Sequence, residues 1–170
     1  MYVRKEITNK GGMDVEAPLV SVVIPAYNRP NTLQIAVDSV LEQTYPNIEI
    51  IICDDSTNHG VQEMLEPYLR SYPQIQYFKN EKNLFLGNWH KCFDLAKGEY
   101  INYLMDDDVF HKDKIKKMIY FYEQFDNITL VTSYRQTINE AGNGYRRFML
   151  RSSSMKKPEL WTEKYWLMRR

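Results

Sequence analysis

The chain has no apolar run that approaches the length of a membrane span, and its first residues lack the apolar stretch of a signal peptide. Cysteine is scarce. Cys53 and Cys92 sit inside apolar segments without metal-ligand spacing, and they read as reduced core residues of a cytoplasmic protein. His59, His90 and His111 share no ligand spacing either, so no zinc site is expected. Neither a GxGxxG turn nor a Walker A loop occurs, which argues against dinucleotide dehydrogenases and P-loop NTPases. A net charge of one sign is also missing: the formal charge is zero, and no nucleic-acid partner is expected.

The neutral total hides an uneven spread. Residues 1–145 hold 14 Lys and Arg against 20 Asp and Glu, a net of −6, whereas residues 146–170 hold 8 against 2, a net of +6. A basic end of this kind suits either a solvated face or contact with an anionic membrane surface. The 170 residues suffice for one domain with a real core. Residues 1–17 are polar and without period, and they read as a flexible arm.

From there, strand and helix patterns alternate. "LVSVVIP" (19–25), "IEIIIC" (48–53), "IQYF" (75–78), "YINYLM" (100–105) and "ITLVTSY" (128–134) read as strands. The first two are continuous β-branched runs, the pattern of strands buried on both faces. Helical spacing joins Leu33, Ala36, Val37, Val40 and Leu41, then Val61, Met64, Leu65, Tyr68 and Leu69. It recurs in Trp89, Cys92, Phe93 and Ala96, with Gly98 as the expected C-cap, and in Ile115, Met118, Ile119, Tyr122 and Phe125. Trp89 reads as a core residue. "NEAGNG" (139–144) reads as a turn and "PELWTEKYWLMRR" (158–170) as the start of a helix. The alternation implies an α/β fold, with a mostly parallel sheet and helices on both faces.

In such a sheet, ligands bind beyond the carboxyl ends of the strands. The residues there are "PAYNRP" (25–30), "DDST" (54–57), "NEKNLFLGN" (80–88) and "DDD" (106–108). Five carboxylates, Asp54, Asp55, Asp106, Asp107 and Asp108, thus converge on one rim with Tyr27 and Asn28. Singly, each acid suits a helix N-terminus: Asp54 or Ser56 for the second helix, Asp108 or Asp113 for the fourth. Together they repel unless a cation neutralises them, and Mg²⁺ or Mn²⁺ prefers such oxygens. Tyr27 suits either core packing or stacking on a planar base.

The stretches "VSVVIPAYNRPNTLQIAVDSVLEQTYPNIEIIICDDST" and "NLFLGNWHKCFDLAKGEYINYLMDDDVFHKDKI" closely resemble family 2 glycosyltransferases, from about Leu19 to about Asn143. These are inverting, nucleotide-sugar-dependent enzymes with the GT-A fold, a Rossmann-like arrangement. The resemblance implies a nucleotide-sugar-binding domain over 18–145 and a basic segment over 146–170 that begins the acceptor half. It implies nucleotide contacts from Pro25, Ala26, Tyr27 and Asn28, with Tyr27 against the base. Asp55 matches the acid that accepts a pyrimidine N–H, and Asp54 supports its loop. "MDDD" matches the family's D-x-D-D stretch, with Asp106 near the ribose and Asp107 as the metal ligand. Asp108 either assists the metal or caps the fourth helix. Met105 stands where the family usually has an acid. Trp89 and His90 stand where many relatives carry an Arg-Asn pair.

The implied activity is transfer of a sugar with inversion, from a UDP- or dTDP-sugar to a carbohydrate or lipid-linked acceptor, with Mg²⁺ or Mn²⁺, in cell-surface polysaccharide synthesis. The setting is cytoplasmic, at the inner face of the membrane. No residue before Arg170 matches the family's catalytic base; Glu140 and Glu163 lack its surroundings. The chain therefore reads as the donor-binding half of a longer domain, and a catalytically incomplete nucleotide-sugar-binding module is the alternative. A phospho-receiver domain would need an acidic pair after its first strand, where Pro25, Ala26 and Tyr27 stand. A nucleotidyltransferase would need a Gly-rich basic loop there.

Overall fold

The computed structural model describes residues 17–125, 127–133 and 136–139, and the backbone of 165–169. Among these residues, six strands and four helices follow in the order β1 (Val20–Ala26), α1 (Pro30–Leu41), β2 (Ile48–Asp54), α2 (Gly60–Ser71), β3 (Ile75–Lys79), α3 (Leu86–Leu95), β4 (Tyr100–Tyr103), α4 (Lys114–Gln124), β5 (Leu130–Ser133) and β6 (Tyr165–Arg169). The sheet order is β3-β2-β1-β4-β6-β5. The first four strands pair in parallel, while β6 runs antiparallel to both β4 and β5.

The alternation of side chains along β1 divides the core in two. Val20, Val22 and Ile24, with Ile50 and Ile52 of β2, meet the apolar stripes of α1, α2 and α4. Val23, Ile51 and Cys53, with Ile101 of β4, meet Cys92 of α3 and Ala96 just after it on the other face. Both faces are covered, which is why β1 and β2 read as unbroken apolar runs. Each fully buried aliphatic side chain stabilises the fold by roughly 1.5–3 kcal/mol. Among the described residues, no helix is long and apolar enough to cross a membrane. Cys53 and Cys92 are free and buried, as expected.

Three expectations need correction. Tyr165–Arg169 is a strand, not part of a helix, because the free edge of β4 offers backbone partners to Leu167, Met168 and Arg169. Tyr and Trp suit that pleated surface. β5 pairs antiparallel with β6 and so runs in the same direction as β1 to β4, which keeps the sheet mostly parallel, as expected. Gly98 does not cap α3, whose C-cap is Ala96. A Cβ on Gly98 would stand 2.7 Å from both the Leu19 carbonyl oxygen and the Ser21 amide nitrogen, so glycine is needed for close passage beside β1. Finally, the second helix starts after His59 and neither Asp54 nor Ser56 caps it; Asp113 does precede α4, yet its carboxylate accepts from Thr44 Oγ1 (3.0 Å). The expected arm over 1–17, the turn over 139–144 and the basic segment over 146–170 fall largely outside the described residues.

Lys114 opens α4 inside the core. Its Nζ donates to Asn102 Oδ1 on β4 (2.7 Å) and lies 3.7 Å from the centroid of the Phe110 ring. Burial holds its pKa down from the usual 10.5 to about 7. Between those values the unfolded chain keeps the proton and the folded chain releases it, so stability rises with pH. The penalty is fully present below about pH 7. Burial also pushes Tyr45 and Tyr103 up to about 12, and their effect opposes the rise only above about pH 10. Denaturation between pH 7 and 10 is expected to show a Lys114 contribution of up to about 1.4 kcal/mol per pH unit, absent in Lys114→Met. Equal slopes in the two proteins would contradict this.

Candidate functional site

Strand register fixes the site. Ala26, Asp54 and Lys79 lie side by side in β1, β2 and β3, so the next residues, Tyr27, Asp55 and Asn80, leave the sheet together. Val23 pairs with Tyr103, and beyond β4 the Leu104 amide donates to the Val23 carbonyl (3.0 Å), which keeps the segment leading to Asp106 beside the end of β1. A cleft of about 370 Å³ opens at these carboxyl ends, within the usual range for small-molecule sites. Pro25, Ala26, Tyr27 and Arg29 line it from the β1 side, and Asp55 from β2. Asn83, Phe85, Asn88 and Trp89 line it from the segment around the start of α3, and Met105 and Asp106 from the end of β4.

Asp55 is buried, and both of its oxygens are bonded. Asn80 Nδ2 donates to Oδ1 (2.7 Å) and the Leu84 amide to Oδ2 (3.0 Å). Asn80 also donates to Asn88 Oδ1 (2.8 Å), Asn88 Nδ2 donates to the Cys53 carbonyl (2.9 Å), and Lys91 Nζ donates to Asn80 Oδ1. Among the described residues, no buried side-chain nitrogen or oxygen lacks a partner. A carboxylate oxygen carries two lone pairs, so Asp55 keeps acceptor capacity toward the cleft.

Asp54 points the other way. It is fully buried, accepts from the Tyr77 hydroxyl (2.7 Å), Lys79 Nζ (3.0 Å) and the Ser56 amide (2.7 Å), and does not line the cleft. Burial, then the bond to Asp54, pushes the Tyr77 phenol well up. Asn28 is also occupied. It adopts φ 54°, a conformation asparagine tolerates. Its amide donates to Ser56 Oγ (2.7 Å) and its Oδ1 accepts from the Thr57 amide (3.0 Å), so it joins the loops after β1 and β2 rather than lining the cleft.

The three aspartates after β4 separate. Asp106 is buried in the cleft wall and accepts from the Tyr27 amide (3.1 Å). Burial raises its pKa from the usual aspartate value, and the Tyr27 amide and Arg29 guanidinium oppose that rise. Asp107 is exposed and meets Arg29 Nη1 at 2.6 Å; the same nitrogen lies 3.4 Å from Asp106 Oδ1. A cationic group thus already rests between the two carboxylates. Asp108 is half-buried, and its amide donates to the Met105 carbonyl (3.2 Å).

Trp89 departs from its expected core position. It is half-buried and stacks on Tyr103, with ring centroids 5.1 Å apart and planes 27° apart. Helical spacing identified the face of α3 that turns to the sheet, but in the first turn that face overhangs the cleft. His90 is exposed. The sequence reading missed Arg29, Asn80, Asn83, Asn88 and Phe85. The clustered asparagines of "NEKNLFLGN" were the available signal, since amides after a buried strand must find partners.

Among the described residues, Phe85 is the other non-glycine residue with positive φ, at φ 52° and ψ −121°. It occupies the second position of a turn in which the Gly87 amide donates to the Leu84 carbonyl (2.9 Å). These are the values of a type II′ turn, whose second position favours glycine. Phenylalanine there costs on the order of 1–3 kcal/mol. Asn83 Oδ1 holds the turn by accepting from the Phe85 amide (2.8 Å).

Residues 21–169 match the family described as Glycosyl transferase family 2. An uncharacterized glycosyltransferase of Rickettsia felis is 42% identical over 130 residues, which are 72% of this chain and 20% of that protein. The UDP-Glc:alpha-D-GlcNAc-diphosphoundecaprenol beta-1,3-glucosyltransferase of Escherichia coli is 40% identical over 106 residues, 62% of this chain and 41% of that protein. The solved structure of a mannosyltransferase of Pyrobaculum calidifontis, in complex with GDP-Man and Mn²⁺, superposes with a TM-score of 0.62 at 19% identity, over 74% of this chain and 40% of that one. The chain thus spans well under half the length of each, and its sheet and helices have the GT-A fold of such enzymes. With a family match over most of its length, the chain belongs to glycosyl transferase family 2.

Proposed function

We infer that the cleft binds the nucleoside diphosphate of a nucleotide-sugar donor, and that the chain is the donor-binding part of an inverting glycosyltransferase of cell-surface polysaccharide synthesis. The observation that carries this is the meeting of Tyr27, Asp55 and Asp106 in one cleft, from the ends of three neighbouring strands. Tyr27 is 45% exposed, which leaves its ring available to a base. Asp55 offers acceptor lone pairs to a ring N–H, as uracil and thymine present. Asp106 is placed for the ribose. The Escherichia coli relative, named for a UDP-Glc donor and a lipid diphosphate acceptor, supports a UDP-sugar and a lipid-linked acceptor. That acceptor chemistry supports work at the cytoplasmic face of a membrane.

Asp107, exposed beside Asp106, fits a hard divalent cation such as Mg²⁺ or Mn²⁺, with Asp108 next to it. The Arg29 guanidinium between Asp106 and Asp107 is the observation that supports the fit, since it shows the pair accommodating positive charge. Among the described residues, no cluster of three or more His, Cys, Asp or Glu forms a ready cage, so further ligands come from water and phosphate oxygens. Such an ion supplies Lewis acidity to the departing diphosphate. The residues themselves hold the donor. Tyr27 and Asp55 fix the base, Asp106 the ribose, and Arg29 lends a cation near the phosphates. In the transfer, the acceptor oxygen bonds to the anomeric carbon as the bond to the diphosphate breaks, and a base takes the hydroxyl proton. A donor-binding module without turnover of its own is the second reading. It is favoured because the acids lining the cleft among the described residues, Asp55 and Asp106, are both buried and hydrogen-bonded to the protein.

Calorimetry of the chain with UDP, dTDP and GDP, with and without Mn²⁺, tests the reading. Binding of at least one is expected, stronger with Mn²⁺, and Asp107→Ala should remove the Mn²⁺-dependent part. Binding of none, or an Asp107→Ala variant that behaves as the parent, contradicts it. Asp106→Asn separates stability from function. Burial penalises the charged carboxylate of Asp106, so at pH 7 the variant should melt no lower than the parent. That difference should shrink as pH falls through the carboxylate range, where the parent side chain also becomes neutral. Nucleotide affinity should fall about tenfold or more, the scale of a lost hydrogen bond to a charged group. A lower melting temperature with unchanged affinity would refute the assignment.

A further inference from the structure

Backbone strain, exposure and anchoring coincide at Phe85. Its φ of 52° belongs to glycine, yet a large aromatic stands there. The residue is 77% exposed, so packing does not account for it. It nevertheless lines the cleft, whereas the equally exposed Leu86 does not. The turn that carries it is fixed at its first residue to Asp55, through the Leu84 amide. The residue assigned to the base edge therefore also sets the position of Phe85.

Resting on the nucleotide reading above, we propose that Phe85 is a base-stacking residue, the second aromatic face of a clamp whose first face is Tyr27. Sheet order supports the geometry. Tyr27 follows β1, Asp55 follows β2 and Phe85 follows β3, and β2 lies between the other two. Strands two apart are separated by roughly 9.5 Å. A planar base in van der Waals contact on both faces needs about 7–8 Å between its flanking rings. A base whose edge meets Asp55 lies in that gap, and Phe85 lines the same cleft from the segment after β3. Stacking is tolerant of base identity, so Phe85 adds affinity and Asp55 makes the choice.

The test compares Phe85→Ala, Phe85→Gly and Phe85→Tyr with the parent chain, using UDP, dTDP, GDP and inorganic pyrophosphate, all with Mn²⁺. For each nucleotide the parent binds, Phe85→Ala and Phe85→Gly should bind about tenfold more weakly. Phe85→Tyr should keep parental affinity, and pyrophosphate binding should not change in any variant. Phe85→Gly should also melt a few degrees higher than the parent, because it relieves the turn. Parental nucleotide affinity in Phe85→Ala and Phe85→Gly overturns the clamp and leaves the nucleotide site standing. Equal losses for nucleotides and pyrophosphate overturn it too, because the turn would then position the phosphates. A lower melting temperature for Phe85→Gly shows that the ring supports the fold, and overturns the strain account. A parent that binds none of the three nucleotides overturns the clamp and the nucleotide reading together.

Discussion

A carboxylate withdrawn from water must be hydrogen-bonded, and Asp55 answers that demand with Asn80 and the Leu84 amide. Much of the cleft depends on this. Asn80 in turn is held by Asn88 and Lys91 of α3, and Asn88 is tied to the Cys53 carbonyl at the end of β2. One acid thus couples the loop after β2 to the segment after β3 and to the first turns of α3. The loop after β1 joins the same unit, through Asn28 to Ser56 and Thr57, and through the Tyr27 amide to Asp106. The rim is a bonded assembly rather than four independent loops.

That assembly carries costs that a purely structural rim would avoid. Asp106 is buried with its charge penalised, Phe85 sits in a glycine conformation, and Arg29 is held against two carboxylates while half-exposed. Strained and desolvated groups gathered in one cleft are characteristic of binding sites, where the ligand supplies the compensating contacts. The opposite end of the sheet shows the contrast. There Glu49 accepts from Ser21 (2.5 Å), Gln76 (3.0 Å) and the Lys97 amide (2.7 Å), a network closed within the protein.

Much of the scaffold was legible in the sequence. Strands buried on both faces leave continuous apolar runs, and helices leave 3.6-residue stripes, so β1 to β4 and α1 to α4 followed from local pattern. β6 did not, because its pairing with β4 joins residues far apart in the chain and leaves no local signal beyond its Tyr and Trp. Gly98 was misjudged for a similar reason: its need arises from β1, not from the helix before it. At the site, Tyr27, Asp55 and Asp106 were legible because strand ends in a parallel sheet converge. Asp54 was drawn to the same rim, yet its side chain turns inward to Lys79 and Tyr77, a direction that position alone does not reveal. Arg29, Asn80 and Phe85 depend on contacts between loops and on one backbone angle, and no periodicity encodes either.

The account rests on a nucleotide lying across the ends of β1, β2 and β4. A crystal structure of the chain with UDP and Mn²⁺ tests that most directly. The account predicts the uracil ring against Tyr27 with its N–H at Asp55, the ribose at Asp106 and the diphosphate beside Asp107. A nucleotide bound elsewhere, or one in this cleft with its base turned away from Asp55, would contradict it.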